Sequence, residues 1–403
     1  MGQVLQRVSS YWRRVGFVLA WQVAASMCYY AVYAAAPFLR DEFGLSRFTV
    51  GIVLAVLTLG YAVFLLPIGA LTDRHGERLT LTVGLGGLAA GVALVAAAPT
   101  YPALLVATFV LGSFYGTAMP GTNKAIYDHI KPGRQNLAVG IKQVGVTAGS
   151  GASALLVTGI SGFLFWQSGL LLTAVVALGV TSLFFASYPD AGGGQASARD
   201  FGALAANRPY RALVVAGLFL GAAIYTTVGY TVLYVDESVG TTVVFGGVVL
   251  ALIQVSGSAG RVVTGWLGDV LPGDPQIRIG LVLLGQAVAS AGLFVALPFA
   301  TRPALAAVAF VAIGFFLLGL TGIYYSCMAT LVGPAEIGGA TAGGQLAITT
   351  GGLLVPPAFG YLADTFGYGA GWWLLAVCCA IAALLVGQVV RTESPVGKTA
   401  MSE

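Results

Sequence analysis

Twelve stretches of this chain are each apolar for about 20 residues or more, the length a helix needs to cross a bilayer, and little chain lies between them. They run roughly over 16–37, 47–71, 79–98, 102–127, 135–159, 166–188, 210–234, 243–268, 278–298, 303–331, 339–361 and 369–390. Inside lipid every backbone N–H and C=O must be bonded within the chain, so consecutive runs of this length are expected as helices. Composition agrees. The 403 residues are 58% hydrophobic and 8% charged, against about 25% charged in soluble domains. So few charges cannot cover a water-exposed surface. The expectation is an all-α integral membrane protein of twelve transmembrane helices, with the lipid bilayer as its main surroundings.

Basic residues set its orientation, because cytoplasmic loops carry an excess of Lys and Arg. With both termini inside, Arg7, Arg13, Arg14, Arg74, Arg78, Lys131, Arg134, Arg199, Arg208, Arg211, Arg278, Arg391 and Lys398 are cytoplasmic, which is 13, and Arg40, Arg47 and Arg302 are outside, which is 3. Arg13-Arg14 before an apolar run and Ala34-Ala35-Ala36 imitates a twin-arginine signal peptide. Pro37 after the supposed cleavage site, the length of the run and the eleven runs that follow favour a first transmembrane helix instead. The expected location is the cell inner (plasma) membrane, multi-pass.

The two halves repeat each other. Gly69-Ala-Leu-Thr-Asp73 after the second run matches Gly265-Trp-Leu-Gly-Asp269 after the eighth at an offset of 196. Asp41-Glu42 matches Asp236-Glu237 at 195, while Pro132 and Pro334, Gln143 and Gln345, and Gly149 and Gly351 all lie 202 apart. Landmarks at nearly constant spacing imply a parallel internal repeat of two six-helix bundles. Between them lies the longest polar stretch, with Gly192-Gly193-Gly194 at its heart. This divides the chain into an N-terminal bundle over 1–188, a cytoplasmic linker over 189–209 and a C-terminal bundle over 210–403.

Several classes of function drop out. The basic residues are scattered, so nucleic acid is not an expected partner. No phosphate-cradling Gly-Lys-Ser loop stands in the sequence, and no His cluster suggests a metal. Cys28, Cys327, Cys378 and Cys379 sit in apolar runs without ligand spacing and read as small buried hydrophobes. No enzymatic motif and no cofactor are expected. The 57 glycines suit close helix packing.

Three cations interrupt the apolar runs: Lys124, Lys142 and Arg261. A charge at such depth costs a few kcal/mol by insertion scales, so it normally faces protein or water and has a task there. Lys142 lies about seven residues into the fifth run and Arg261 about seven before the end of the eighth, which puts both roughly 10 Å deep on the cytoplasmic side. Neither has an acid nearby in sequence, apart from Asp269 two turns beyond Arg261. An anion from solution would satisfy both, Arg261 through its fork and Lys142 as a point charge. The competing readings are a snorkelling Lys142 and an Arg261 tied to Asp269 or to helix-end carbonyls. Lys124 has Asp128 at i+4 and reads as a structural pair. His75 and His129 lie at loop ends and read as solvated.

The segment Gly69, Leu71, Asp73, Arg74, Gly76 and Arg78, with a degenerate copy at Gly265, Leu267 and Asp269, resembles the signature of the major facilitator superfamily. The likeness extends over the whole chain. Glu77 departs from the signature, where Gly, Arg or Lys is usual. Gly140, Lys142, Gln143, Gly145 and Val146 are similar to a helix-5 segment of cyanate- and nitrate-type branches. Gly260-Arg261 with Gly265-Trp266 resembles helix 8 of monocarboxylate and oxalate/formate transporters. The second arginine of nitrate porters is missing from the second run, Thr108 stands at the arginine of many proton-coupled members, and Thr147-Ala148-Gly149-Ser150-Gly151 replaces the antiporter motif. The first run holds no acid of the kind common in cation exporters.

The resemblance implies two bundles rocking around a central site, with helices 5 and 8 facing each other across it and helices 1, 4, 7 and 10 lining it. That makes Lys142 and Arg261 the expected charge clamp, with Tyr29, Tyr33, Tyr115, Tyr225 and Tyr324 around the substrate body and Tyr325 beside the last. Gln143 and Gln345 become repeat-related polar contacts. Asp73, Arg74, Arg78 and Asp269 are implied as gating charges at the cytoplasmic helix ends. The reading is a monomeric secondary transporter of a small organic anion, a mono- or dicarboxylate. Proton symport, anion exchange (antiport) and facilitated diffusion stay open. The alternative is a multidrug or cationic-substrate exporter of the same superfamily, which needs a buried acid.

Overall fold

The computed structural model describes residues 2–130, 135–188, 204, 206–333 and 336–391, without the side chains of 2–11 and 136. Lys131, Arg134, Arg199, Lys398, Pro132, Pro334 and most of the expected linker fall outside the described residues.

The described chain is helical, and twelve of its helical segments are long and apolar enough to cross a membrane. In order the helices are α1 (Gly2–Ala34), α2 (Ala36–Phe43), α3 (Arg47–His75), α4 (Glu77–Ala96), α5 (Tyr101–Tyr115), α6 (Ala118–Tyr127), α7 (Gln135–Ile160) and α8 (Gln167–Ser187). The second series is α9 (Arg208–Glu237), α10 (Val243–Val270), α11 (Pro275–Ala296), α12 (Pro303–Ile313), α13 (Leu320–Thr330), α14 (Ile337–Phe366) and α15 (Tyr368–Arg391).

Two expected spans are interrupted. The fourth breaks at Gly116–Thr117 into α5 and α6. The tenth passes through a π-helical turn, Gly314–Leu318, between α12 and α13. Such a turn leaves carbonyls outside the ordinary ladder and often marks a functional position.

The chain forms two compact units. The first comprises Met1–Gly44 and Val56–Ser197, and the second Leu45–Ala55 and Ala198–Glu403. The start of α3 thus belongs to the second unit, because Gly51 packs directly on the backbone of Pro356 and Pro357.

In the first unit α1 and α7 meet at Gly149, where a Cβ would collide with the carbonyl of Val23. In the second unit α9 and α14 meet at Gly351, where a Cβ would collide with the carbonyl of Leu218. Gly149 and Gly351 are 202 apart, and Val23 and Leu218 are 195 apart. These are the repeat offsets of the sequence, so both units use the same backbone-to-backbone seam. Lipid tails are as apolar as leucine, which leaves close van der Waals approach to hold such helices together. Around the seam of the second unit, Trp372 packs among Tyr234, Phe294, Phe310 and Phe359.

Candidate functional site

In the first unit Lys142, on α7, is only 5% exposed. Its Nζ donates to Asn123 Oδ1 on α6 at 2.7 Å. Among the described residues no carboxylate lies within ion-pair distance of this ammonium. Two other cations are matched by acids. Lys124 pairs with Asp128 at 2.5 Å. Arg47 holds Glu237 at 2.7 Å and Asp364 at 3.7 Å within the second unit, with its guanidinium 4.6 Å from the Tyr368 ring. A buried cation whose hydrogen-bond partner is neutral keeps its full demand for negative charge.

The tyrosines of the first unit come together. Tyr29 stacks on Tyr115 at 4.0 Å between ring centroids and lies 5.8 Å from Tyr33. Tyr30 and Tyr61, to which the sequence assigned no role, complete the group at 5.2 Å and 6.2 Å from Tyr29. Most of this cluster is buried, and Tyr30 keeps a partly exposed face. A polar rail runs along it: Gln22 Nε2 donates to Ser26 Oγ at 3.2 Å, and Ser26 shares a hydrogen bond with Tyr115 Oη at 3.3 Å. Gly145, three residues beyond Lys142, rests on Gln22 at the start of this rail. Gln143 is partly exposed beside Lys142.

In the second unit Arg261, on α10, is partly exposed and donates its Nε–H to the carbonyl of Leu318 at 3.1 Å. Leu318 ends the π turn. Of the readings open for Arg261, the carbonyl contact is thus present, although the carbonyl comes from a neighbouring helix. Asp269 instead lies exposed, with its backbone carbonyl capped by Arg278 Nη1 at 2.9 Å.

The two tyrosines of α13 separate. Tyr324 is 0% exposed, its hydroxyl pressed against Gly217 and its ring against Gly344. Tyr325 donates to Gln345 Oε1 at 2.6 Å, and Gln345 Nε2 donates to Thr349 Oγ1 at 3.1 Å. Tyr225 is buried with its ring against Gly352.

At the end of α3 and the start of α4, Asp73 is half-buried and Arg74 exposed. Arg78 Nη2 donates to the carbonyl of Phe185 at 2.8 Å and lies over its ring at 5.4 Å, so it caps the end of α8. The expectation of two solvated histidines needs correction. His75 is exposed, but His129 sits 2.5 Å from Glu77, a carboxylate only 1% exposed. The residue that departs from the signature therefore has a partner at the end of the fourth span. A cleft of about 370 Å³ lined by Phe64, Ile68, Leu71, Leu79, Val83 and Phe114 contains none of the binding candidates.

Asn123 is not distinguishable from other polar residues in the sequence, whereas Tyr325 stands there beside Tyr324 in the expected lining. The usable signal for Asn123 is its 202-residue offset from Tyr325, the same that relates Gln143 to Gln345.

Known proteins place the chain further. The family profile described as Major Facilitator Superfamily matches residues 18–342. The hexuronate transporter of Bacillus subtilis (strain 168) is 25% identical over 396 residues, covering 93% of this chain and 92% of its own length. The probable sulfoacetate transporter SauU of Cupriavidus necator is 26% identical, covering 90% and 91%. Among solved structures, an inward-facing, occupied bacterial homologue of the human lysosomal transporter Spinster superposes with a TM-score of 0.79 at 15% identity, covering 96% of this chain and 97% of that one. The nucleoside transporter NupG, as a mutant, gives 0.76 at 14%, covering 93% and 99%. These matches are to transporters and none indicates an enzymatic family. With twelve membrane-crossing segments and a profile match over most of its length, this multi-pass membrane protein belongs to the Major Facilitator Superfamily.

Proposed function

We propose that the protein is a secondary transporter of small organic anions, mono- or dicarboxylates, working by alternating access in the plasma membrane with both termini cytoplasmic. One observation carries the reading: Lys142 is buried on a membrane-spanning helix and bonded to a neutral amide, with no acid among the described residues to match it. The substrate would supply the missing charge. Arg261 offers the same chemistry in the second unit, where a carbonyl rather than a carboxylate holds its Nε–H.

Relatives support the chemical class. Their names specify hexuronate, sulfoacetate, gallate and D-galactonate, all small organic anions. The tyrosine cluster with its Gln22–Ser26–Tyr115 rail supplies apolar faces and hydroxyls for an organic body. Gln143, Tyr325 and Gln345 add neutral polar groups.

The test is a thermal-shift screen of purified protein against glucuronate, sulfoacetate and gallate, since a ligand bound only by the folded state raises the melting temperature. Uptake into proteoliposomes of whichever anions stabilise it would follow. Stabilisation and uptake are expected for at least one, and both should vanish in Lys142→Ala. Uptake by Lys142→Ala at the wild-type rate, or stabilisation by lipophilic cations alone, would reject the reading.

A further inference from the structure

We infer that Asn123 is a second anion-binding residue, whose carboxamide NH2 hydrogen-bonds the oxygen of the carboxylate that Lys142 neutralises. The inference rests on the anion-transport reading above.

An ammonium group carries three donors and no acceptor, so its bond to Asn123 settles which way the amide points: oxygen toward Lys142, nitrogen away. Asn123 is partly exposed, and among the described residues its Nδ2 makes no hydrogen bond. Lys142 spends one of its N–H groups on Asn123. What remains is a pair of adjacent groups that only donate, two N–H on the ammonium and two on the amide, with no hydrogen-bond acceptor among the described residues. Such an arrangement suits an anion with at least two oxygens, a carboxylate or sulfonate. One oxygen meets the charge and the other the amide.

Asn123 stands on α6, which begins anew after the break at Gly116–Thr117. Tyr325 occupies the repeat-equivalent position, 202 residues on, and it too bridges to the neighbouring helix, through Gln345. There the donor is spent inside the protein, and Gly344 stands where the repeat would place a lysine. At these two repeat-equivalent positions, then, the donor pair of Asn123 and Lys142 has no counterpart.

A role confined to satisfying Lys142 is the rival reading of Asn123, and the two roles predict opposite signs. If it only occupies the ammonium, removing it frees an N–H and leaves anion affinity unchanged or tighter. If it donates to the anion, removal weakens binding by about tenfold or more, as expected for a hydrogen bond to a charged group. The experiment titrates glucuronate, sulfoacetate and gallate into wild type, Asn123→Leu and Asn123→Asp, reading the melting temperature and the dissociation constant. Asn123→Asp keeps an acceptor for Lys142, so it should fold with at least wild-type stability, yet it lacks the NH2 and should lose the anion-induced shift. An undiminished shift in Asn123→Asp, or a dissociation constant in Asn123→Leu at or below that of wild type, overturns the inference. Lys142→Ala, measured in parallel, reports on the transport reading: if it loses binding while Asn123→Leu does not, the anion site stands and only the role of Asn123 falls.

Discussion

Arg261 reaches from α10 to the carbonyl of Leu318 at 3.1 Å, the last residue of the π turn between α12 and α13. The same carbonyl also accepts from Thr321 Oγ1 at 3.2 Å, so the guanidinium is held by a carbonyl that a side chain of α13 shares. Arg261→Ala is expected to lose anion uptake and to lower stability by about 1 kcal/mol, the net worth of a typical hydrogen bond. Arg261→Lys keeps the charge but not the fork or the Nε–H, and should recover stability less than charge alone suggests. Wild-type uptake by Arg261→Ala in proteoliposomes would remove Arg261 from the site.

A buried lysine with a neutral partner is costly to the empty protein. Replacing it with an apolar side chain of similar length should therefore stabilise the fold while ending transport. Lys142→Met is expected to melt at or above the wild-type temperature without added anion, to show no anion-induced shift and to transport nothing. Lys124→Met is the matched control: its i,i+4 partner Asp128 is 44% exposed. Such a pair is worth about 0.3–0.5 kcal/mol, so uptake should persist. A lower melting temperature for Lys142→Met would show that the lysine serves the fold.

Glu237 accepts from both Nε and Nη2 of Arg47, at 2.9 Å and 2.7 Å, and from Tyr368 Oη at 3.0 Å. Glu237→Gln leaves the guanidinium with Asp364 alone among its carboxylates, at 3.7 Å. The expected loss is about 1–3 kcal/mol, as for other hydrogen bonds to charged groups, discounted because Arg47 is a quarter exposed. A differential melt in detergent measures it, and an unchanged melting temperature would mean that this cluster adds nothing to the fold.

The two glycine seams should fail alike. Gly149→Ala sets a Cβ against the Val23 carbonyl and Gly351→Ala against that of Leu218. Helix backbone cannot give way as a side-chain tip can, so each should cost about 1–3 kcal/mol, the range for overpacking. Gly140→Ala, with open space around it, is the control and should be neutral. A neutral Gly149→Ala or Gly351→Ala would contradict the close approach drawn for these helices.

Much of the protein was legible along one dimension. A bilayer demands a fixed length of apolar chain, so the crossings of Arg47–His75 or Val243–Val270 show in the order of residues alone. A lone charge in such a run is equally visible, which is why Lys142 and Arg261 stood out before any fold was known. The repeat was visible too, because spacings survive when side chains change.

Contacts between helices have no such signature. Tyr324 and Tyr325 are neighbours in sequence, about 100° apart around a helix, and only the packing of α13 decides that one hydroxyl meets Gly217 and the other Gln345. His129 gives no sign of its partner along the chain, because Glu77 lies 52 residues away. Asn123 carried no mark of its own, since an uncharged amide in a membrane helix is compatible with many roles. The amino-acid order determined how many helices cross the membrane and which carry charge, since both depend on transfer into lipid residue by residue. The tertiary packing decided which side chains answer those charges, since a hydrogen bond needs two atoms within about 3 Å, a condition that depends on how α6 turns against α7.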